Sequence, residues 1–307
     1  VRLVELFKEA GVPKGVINLV LGSGRTVGEA LVKHPLVRGI SFTGSTRTGV
    51  DINAQAGRRM VRTQLEMGGK NPAVVLSYAD AANIAKQIAQ AAFTTTGQRC
   101  TAVSRVIVLQ SLAAELGEAL VAELAAIKVG PAWDPASRMG PLVTDQHRAS
   151  VLRNMASGLD QGARIRFGGR VLEDGELGRG NFLEPALIEN VSPENLLAKQ
   201  EVFGPVLSLI SVRDANQAIE VANSVEYGLA ASVCYYGGGI IANGALVPRC
   251  PVMIYWAELD TIIPIDKARD FIASHPAVEH HIYPADHGFN CNLRGSYHEP
   301  SATLAKT

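Results

Sequence analysis

Over the first third of the chain the apolar spacing switches back and forth between a helical stripe and short β-branched runs, and that alternation restricts the fold more than any other feature. Val1, Leu3, Val4 and Phe7 form a helical stripe that Gly11 and Pro13 end. Val16-Ile-Asn-Leu-Val20 reads as a strand running into Gly22-Ser-Gly24, helical spacing resumes over residues 27–32, and Gly39-Ile-Ser-Phe-Thr43 reads as a second strand closing on Gly44. A third strand is expected at residues 74–76, then a helix carrying Ile84, Ile88, Ala91 and Ala92 that stops at Thr94-Thr-Thr-Gly97, then a strand over 103–109. Leu112, Leu116, Leu120 and Leu124 recur every four residues, the inward face of an amphipathic helix, and a further helix is expected near 145–158. Helix and strand in alternation is the pattern of a parallel α/β sheet.

Charge and length narrow the class. Lys+Arg 29 against Asp+Glu 29 leaves a formal net charge of zero, which removes the electrostatic case for a nucleic-acid or anionic-membrane partner. With 47% apolar and 19% charged residues, the 307-residue chain can bury a core, and roughly 150 residues per domain gives about two domains. No uncharged apolar run approaches the roughly 20 residues of a membrane span. The charged start is unlike a signal peptide, so a cytoplasmic location is expected. The first residue is Val rather than Met, which suggests a chain cut from something longer. Cys100, Cys234, Cys250 and Cys291 lie far apart without a CxxC pair and read as reduced thiols, with no metal site expected. Past residue 234 the composition shifts, since five of the seven histidines (275, 280, 281, 287, 298) lie there.

Two segments carry chemistry, Leu65-Glu-Met-Gly-Gly-Lys-Asn-Pro72 and Gly97-Gln-Arg-Cys-Thr-Ala-Val-Ser-Arg105. A Cys just past a helix-ending Gly can sit where backbone N–H groups favour its thiolate and stabilise an oxyanion, and a Glu at a strand end can activate water against the resulting thioester. From residue types alone, Cys100 reads equally as a buried structural thiol and Glu66 as a solvated carboxylate.

Together these segments closely resemble the aldehyde dehydrogenase superfamily. Its glutamate motif E-(L/M)-G-G-K-(N/S)-P stands at residues 66–72, its cysteine motif G-Q-x-C-x-A-x-S-R at 97–105, and Cys100 follows Glu66 by 34 positions as in the family. Phe42-Thr-Gly-Ser-Thr-Arg-Thr-Gly49 is similar to the strand–Gly-x-x-x-x-Gly–helix element that meets a cofactor pyrophosphate. Gln200-Glu-Val-Phe-Gly-Pro205 resembles the segment whose Glu holds the nicotinamide ribose and whose Phe packs near the ring, and Asn223-x-x-x-Tyr-Gly-Leu-Ala-Ala-Ser232 is a further family signature of structural character. The resemblance implies that Cys100 attacks an aldehyde, that Glu66 is the general base for thioester hydrolysis, and that Gly44, Ser45, Gly49, Gly68, Glu201 and Phe203 bind NAD or NADP. Residues 64–75 further resemble semialdehyde dehydrogenases of sugar-acid or dicarboxylate catabolism. Family members carry a founding strand, an adenosine-ribose Lys and an oxyanion Asn before the point aligned with Val1, and a returning segment after the point aligned with Val233. An impaired or inactive, self-associating chain is expected from their absence.

Residues 234–307 resemble a different family. Tyr235-Tyr-Gly-Gly-Gly239, Arg249-Cys-Pro-Val-Met-Ile-Tyr-Trp-Ala-Glu-Leu-Asp260 and Tyr283-Pro-Ala-Asp-His-Gly-Phe-Asn-Cys291 look like the last third of a dienelactone hydrolase of the α/β-hydrolase superfamily. The resemblance gives Asp260 and His287 two of three triad roles, whereas the G-x-C-x-G-G nucleophile elbow is absent. The expected organisation is a partial parallel-sheet dinucleotide-binding domain (1–69), an α/β catalytic domain of aldehyde dehydrogenase type (70–233) and a partial α/β-hydrolase tail (234–307), a chimera joined near 233/234. Three functions follow: aldehyde oxidation, carboxylic-ester (dienelactone) hydrolysis, or an inactive fusion fragment.

Overall fold

The computed structural model describes residues 1–228, 233–235, 253–257, 265–274 and 279–283. Its chain divides into two compact units, Val1–Gly68 and Gly69–Thr307. No helix among the described residues is long and apolar enough to cross a membrane.

In the first unit, α1 (Arg2–Glu9) is amphipathic but buries none of its residues. A π-helical turn at Gly24–Gly28 leads into α2 (Glu29–Lys33). Strand β1 (Gly39–Thr43) runs into α3 (Thr46–Gly57), and β2 (Arg62–Glu66) pairs with β1 in parallel, Thr43 opposite Glu66. The strand expected at residues 16–20 does not form. That stretch is irregular and exposed, with Gly15 at φ 88° just before it, and an apolar β-branched run becomes a strand only when a neighbour takes its backbone hydrogen bonds. The polar sequence Arg-Thr-Gln-Leu-Glu forms β2 instead, because β1 is there to pair with it.

In the second unit, β3 (Asn71–Val75), β4 (Val103–Leu109), β5 (Arg164–Phe167), β6 (Ala186–Glu189), β7 (Val206–Val212) and β8 (Val233–Tyr235) make one sheet in the order β5-β6-β7-β4-β3-β8. All its pairings are parallel except β5 with β6. Period-two alternation divides the core between the two faces, as a parallel sheet requires. Ala73, Val75, Val106 and Val108 pack with Ile88 of α4 (Ala81–Phe93) and with Leu116, Leu120 and Leu124 of α5 (Gln110–Ala125). Val74, Ile107 and Ile210 pack on the other face with Val151 of α6 (Asp145–Asp160), Leu197 of α7 (Leu196–Lys199) and Ala218 of α8 (Ala215–Ala222). The α/β class and the leucine face of α5 are therefore as the sequence implies. Beyond β8, β9 (Met253–Ala257) and β10 (Glu279–Tyr283) pair in parallel, and α9 spans Ile265–Ser274.

Candidate active site

In the first unit the chain turns from β1 into α3 through Gly44, whose N–H donates to the carbonyl of Glu66 at 3.0 Å. Ser45 caps α3, its hydroxyl accepting from the Thr48 N–H at 3.3 Å. The first turn holds no acidic residue, so the helix dipole there faces no built-in anion. Gly49 is buried in the helix, where a Cβ would come within 2.5 Å of the Met67 sulfur, so the absent side chain lets α3 lie close to the end of β2. A glycine turn, a Ser cap, a first turn without acid and a second glycine against the strand fit a dinucleotide pyrophosphate. Gly68 is buried, and Glu66 ends β2 exposed.

Cys100 lies in the second unit, half-buried in the turn between α4 and β4, and is a free thiol. Ahead of it Thr95 (φ 58°), Thr96 (φ 60°) and Gly97 (φ 67°) are all left-handed. Two of the three carry a Cβ, a conformation costing roughly 1–3 kcal/mol per residue that persists only where the surroundings fix it. Here Thr96 Oγ1 donates to the Gly140 carbonyl at 3.0 Å, while Gln98 donates to the Pro141 carbonyl at 3.3 Å and accepts from the Val143 N–H at 3.0 Å. Gly97 has no alternative: a Cβ would fall 2.3 Å from the Gly204 carbonyl oxygen. The turn before the thiol thus rests directly on the segment that carries Glu201 and Phe203.

Glu201 is half-buried. One carboxylate oxygen accepts from the Gly69 N–H at 3.2 Å, and the other receives no hydrogen bond among the described residues. Burial raises its pKa against the opposing pull of the Gly69 N–H and of Lys70. A carboxylate fixed at one oxygen and open at the other suits a ribose diol. Its backbone N–H donates to the Tyr227 hydroxyl at 3.0 Å. This gives Tyr227, within the signature of structural character, a direct hold on Glu201. Phe203, at φ 54°, is part-exposed, and it shares a small cavity with Gly97, Arg99, Ser104, Glu201 and Gly204.

Two buried cations stand behind the site. Arg105 donates from Nε and Nη2 to the Lys70 carbonyl (3.1 and 2.6 Å), from Nη1 to Val221 (2.9 Å) and from Nη2 to Ala222 (3.1 Å). Desolvation pulls its pKa down to about 10, so it stays protonated at neutral pH. Lys70 is 1% exposed, and burial, with Arg105 nearby, lowers its pKa to about 7 against the attraction of Glu201. The residue types around Arg105 carry no carboxylate signal, so the carbonyl cage could not be read from sequence. Asp260 and His287, like Cys250 and Cys291, lie outside the described residues. Among the described residues no group of His, Cys, Asp and Glu could hold a metal ion.

Residues 1–235 match the Aldehyde dehydrogenase family, and residues 215–307 match the Dienelactone hydrolase family. An alpha-ketoglutaric semialdehyde dehydrogenase of Bacillus subtilis (strain 168) is 39% identical over 232 residues, 76% of this chain and 48% of that protein. A betaine aldehyde dehydrogenase from Staphylococcus aureus, solved in complex with NAD+, superposes with a TM-score of 0.75 at 30% identity, covering 92% of this chain and 50% of that one. A double mutant of that enzyme gives 0.74 at 35% identity over 78% of this chain and 48% of that one. The chain spans about half the length of the relatives it matches. With its glutamate and cysteine motifs in family order and the family match running through 235 of its 307 residues, the chain belongs to the aldehyde dehydrogenase family.

Proposed function

We propose that the chain carries the site for NAD-dependent oxidation of an aldehyde, a semialdehyde by preference, to a carboxylic acid. The observations that carry this are the aldehyde dehydrogenase family match over residues 1–235 and, in the second unit, the Gly97 turn that leads into Cys100, which lies against the Gly204 carbonyl beside Glu201 and Phe203. The Cys100 thiol adds across the carbonyl, sulfur to carbon and thiol proton to oxygen, giving a thiohemiacetal whose oxygen returns that proton to solvent as hydride leaves the carbon and the C=O of the thioester forms. A nicotinamide dinucleotide, when bound, supplies the acceptor for the hydride that leaves this carbon. Glu66 takes a proton from the water that attacks the resulting thioester, and the Cys100 thiol is released with the acid. Gly44, Ser45, Gly49 and Gly68 receive the cofactor's phosphate end, and Glu201 and Phe203 its nicotinamide riboside. NAD is favoured over NADP because the betaine aldehyde dehydrogenase relative is solved with NAD+. The semialdehyde preference has support in the Bacillus subtilis relative's name. The test is aldehyde-dependent reduction of NAD+ by the chain beside Cys100→Ser and Glu66→Gln. Activity that Cys100→Ser abolishes supports the assignment, and activity that survives Cys100→Ser excludes it.

The division into 1–69, 70–233 and 234–307, a chimera, is proposed with it, supported by the hydrolase-family match over residues 215–307. That match also favours a second reading, ester hydrolysis by Asp260 and His287. A His and an Asp without an elbow nucleophile supply at most weak base catalysis, so p-nitrophenyl acetate turnover lost in His287→Ala would establish this reading, and its absence would leave the tail inert. Self-association in a cytoplasmic setting is proposed from the first unit, where Leu3, Leu6, Val16, Leu19, Val20 and Leu21 are exposed. A monodisperse monomer in sedimentation velocity would contradict it.

A further inference from the structure

Three consecutive residues, Gly69 and Lys70 just before β3 and Asn71 at its start, tie the second unit's site together. The Gly69 N–H holds the Glu201 carboxylate, the Lys70 carbonyl is gripped by Arg105, and the Asn71 side chain reaches the nucleophile turn. Asn71 is 1% exposed, and its Nδ2 donates to the carbonyl of Cys100 at 2.7 Å and to that of Ala102 at 3.1 Å. An amide nitrogen carries two hydrogens, so both donors go to the two carbonyls that bracket Thr101. Each peptide plane is rigid, with its N–H opposed to its C=O, so fixing the Cys100 carbonyl also fixes the direction of the Thr101 N–H. The following residue, Val103, begins β4 and sits opposite Asn71 in the ladder, so the clamp is anchored on both strands. Upstream the turn is held by contacts to the 140–143 and 203–204 segments and by Arg99, whose guanidinium donates to the Ala91 carbonyl at 3.1 Å; among the described residues Asn71 is the side chain that donates to the Cys100 carbonyl itself.

We infer that Asn71 is a positioning residue for Cys100, fixing the thiol's backbone through a two-pronged amide clamp; this rests on the assignment of Cys100 as the nucleophile. The clamp is a hydrogen-bonding function rather than a filling of space, which distinguishes it from an ordinary core residue. Asn71→Leu keeps the volume and loses both donors, Asn71→Asp keeps the shape and turns both donors into acceptors facing carbonyls, and Asn71→Ser retains one donor.

The experiment is the rate of iodoacetamide labelling at Cys100, mapped by mass spectrometry on the full chain at neutral pH, under conditions where circular dichroism shows each variant folded. Labelling should slow roughly ten-fold in Asn71→Leu and Asn71→Asp, the change expected for losing about two hydrogen bonds, with Asn71→Ser recovering part of the rate. A purely structural role would lower the melting temperature and leave the rate unchanged or raise it by loosening the turn, and either result overturns the proposal. If the Leu and Asp variants do not fold, Asn71→Ser decides alone, a slower rate supporting the clamp and an unchanged one overturning it. A wild-type Cys100 no faster than the other three thiols would fail the nucleophile assignment itself, whereas a fast wild type matched by its variants fails only the clamp.

Discussion

The Nε2 of His147 lies 2.7 Å from the Phe203 carbonyl oxygen, and the two rings meet edge to face with centroids 6.1 Å apart. His147 stands in the first turn of α6, where the Thr144 hydroxyl caps its N–H. One side chain thus holds both the backbone and the ring of a residue whose φ of 54° is unfavourable for a side chain with a Cβ. A carbonyl oxygen only accepts, so Nε2 is the donor of this bond.

His147→Ala should therefore destabilise the second unit by about 1 kcal/mol, the worth of one net hydrogen bond plus a modest aromatic contact. His147→Gln, which keeps a donor, should recover part of that. Urea unfolding followed by circular dichroism measures both, and equal midpoints for all three proteins would show that His147 does not hold Phe203.

Lys70 gives the chain a pH signature. Its folded-state pKa of about 7 lies below the ordinary 10.5, so between these values the unfolded chain binds the extra proton and the folded chain does not. Stability must then rise with pH through this window, and the cost of burying the charge is fully present below about pH 7. From pH 7 to about pH 9 the gain is on the order of 2 kcal/mol, and Lys70→Met should flatten it. Thermal melts of the two proteins across this range check the slope; parallel curves would mean that Lys70 keeps its ordinary affinity for protons.

Much of this architecture is legible in the amino-acid sequence. The leucines of α5 and the β-branched run of β4 have one environment each, the sheet face, and their spacing states it. Cys100 and Glu66 stand out because their motifs combine glycines, a nucleophile and an acid at fixed separation. What the sequence hides depends on partners distant along the chain. Residues 16–20 have strand chemistry but pair with no strand among the described residues, while 62–66 have little strand chemistry and a neighbour that supplies it. Arg105, Tyr227 and Asn71 act on carbonyls, an N–H and a carboxylate-bearing segment up to 117 residues away, and backbone acceptors leave no trace in side-chain spacing.

Ser104 offers a test of the polar accounting around the cavity. Its buried hydroxyl has no hydrogen-bond partner among the described residues. Replacing an unsatisfied buried polar group with an apolar one of nearly the same shape is close to neutral or stabilising, so Ser104→Ala should hold or slightly raise the unfolding midpoint. Leu120→Ala, at a fully buried position on the same sheet's helix layer, should lose about 2–5 kcal/mol. Denaturant titration of the pair measures the contrast, and a Ser104→Ala loss comparable to that of Leu120→Ala would reveal an internal water or partner that the hydroxyl serves.

The most direct measurement is competitive thiol labelling: iodoacetamide at neutral pH, with each of the four cysteines quantified by mass spectrometry, in the presence of NAD+ and with or without an aliphatic semialdehyde. If Cys100 is the nucleophile of an aldehyde-oxidising site, it labels faster than Cys234, Cys250 and Cys291, because a nucleophilic cysteine reacts through its thiolate. The semialdehyde then slows Cys100 alone in a saturable way. Equal labelling of all four thiols in the folded chain, or a Cys100 rate that the aldehyde leaves untouched, would contradict the assignment.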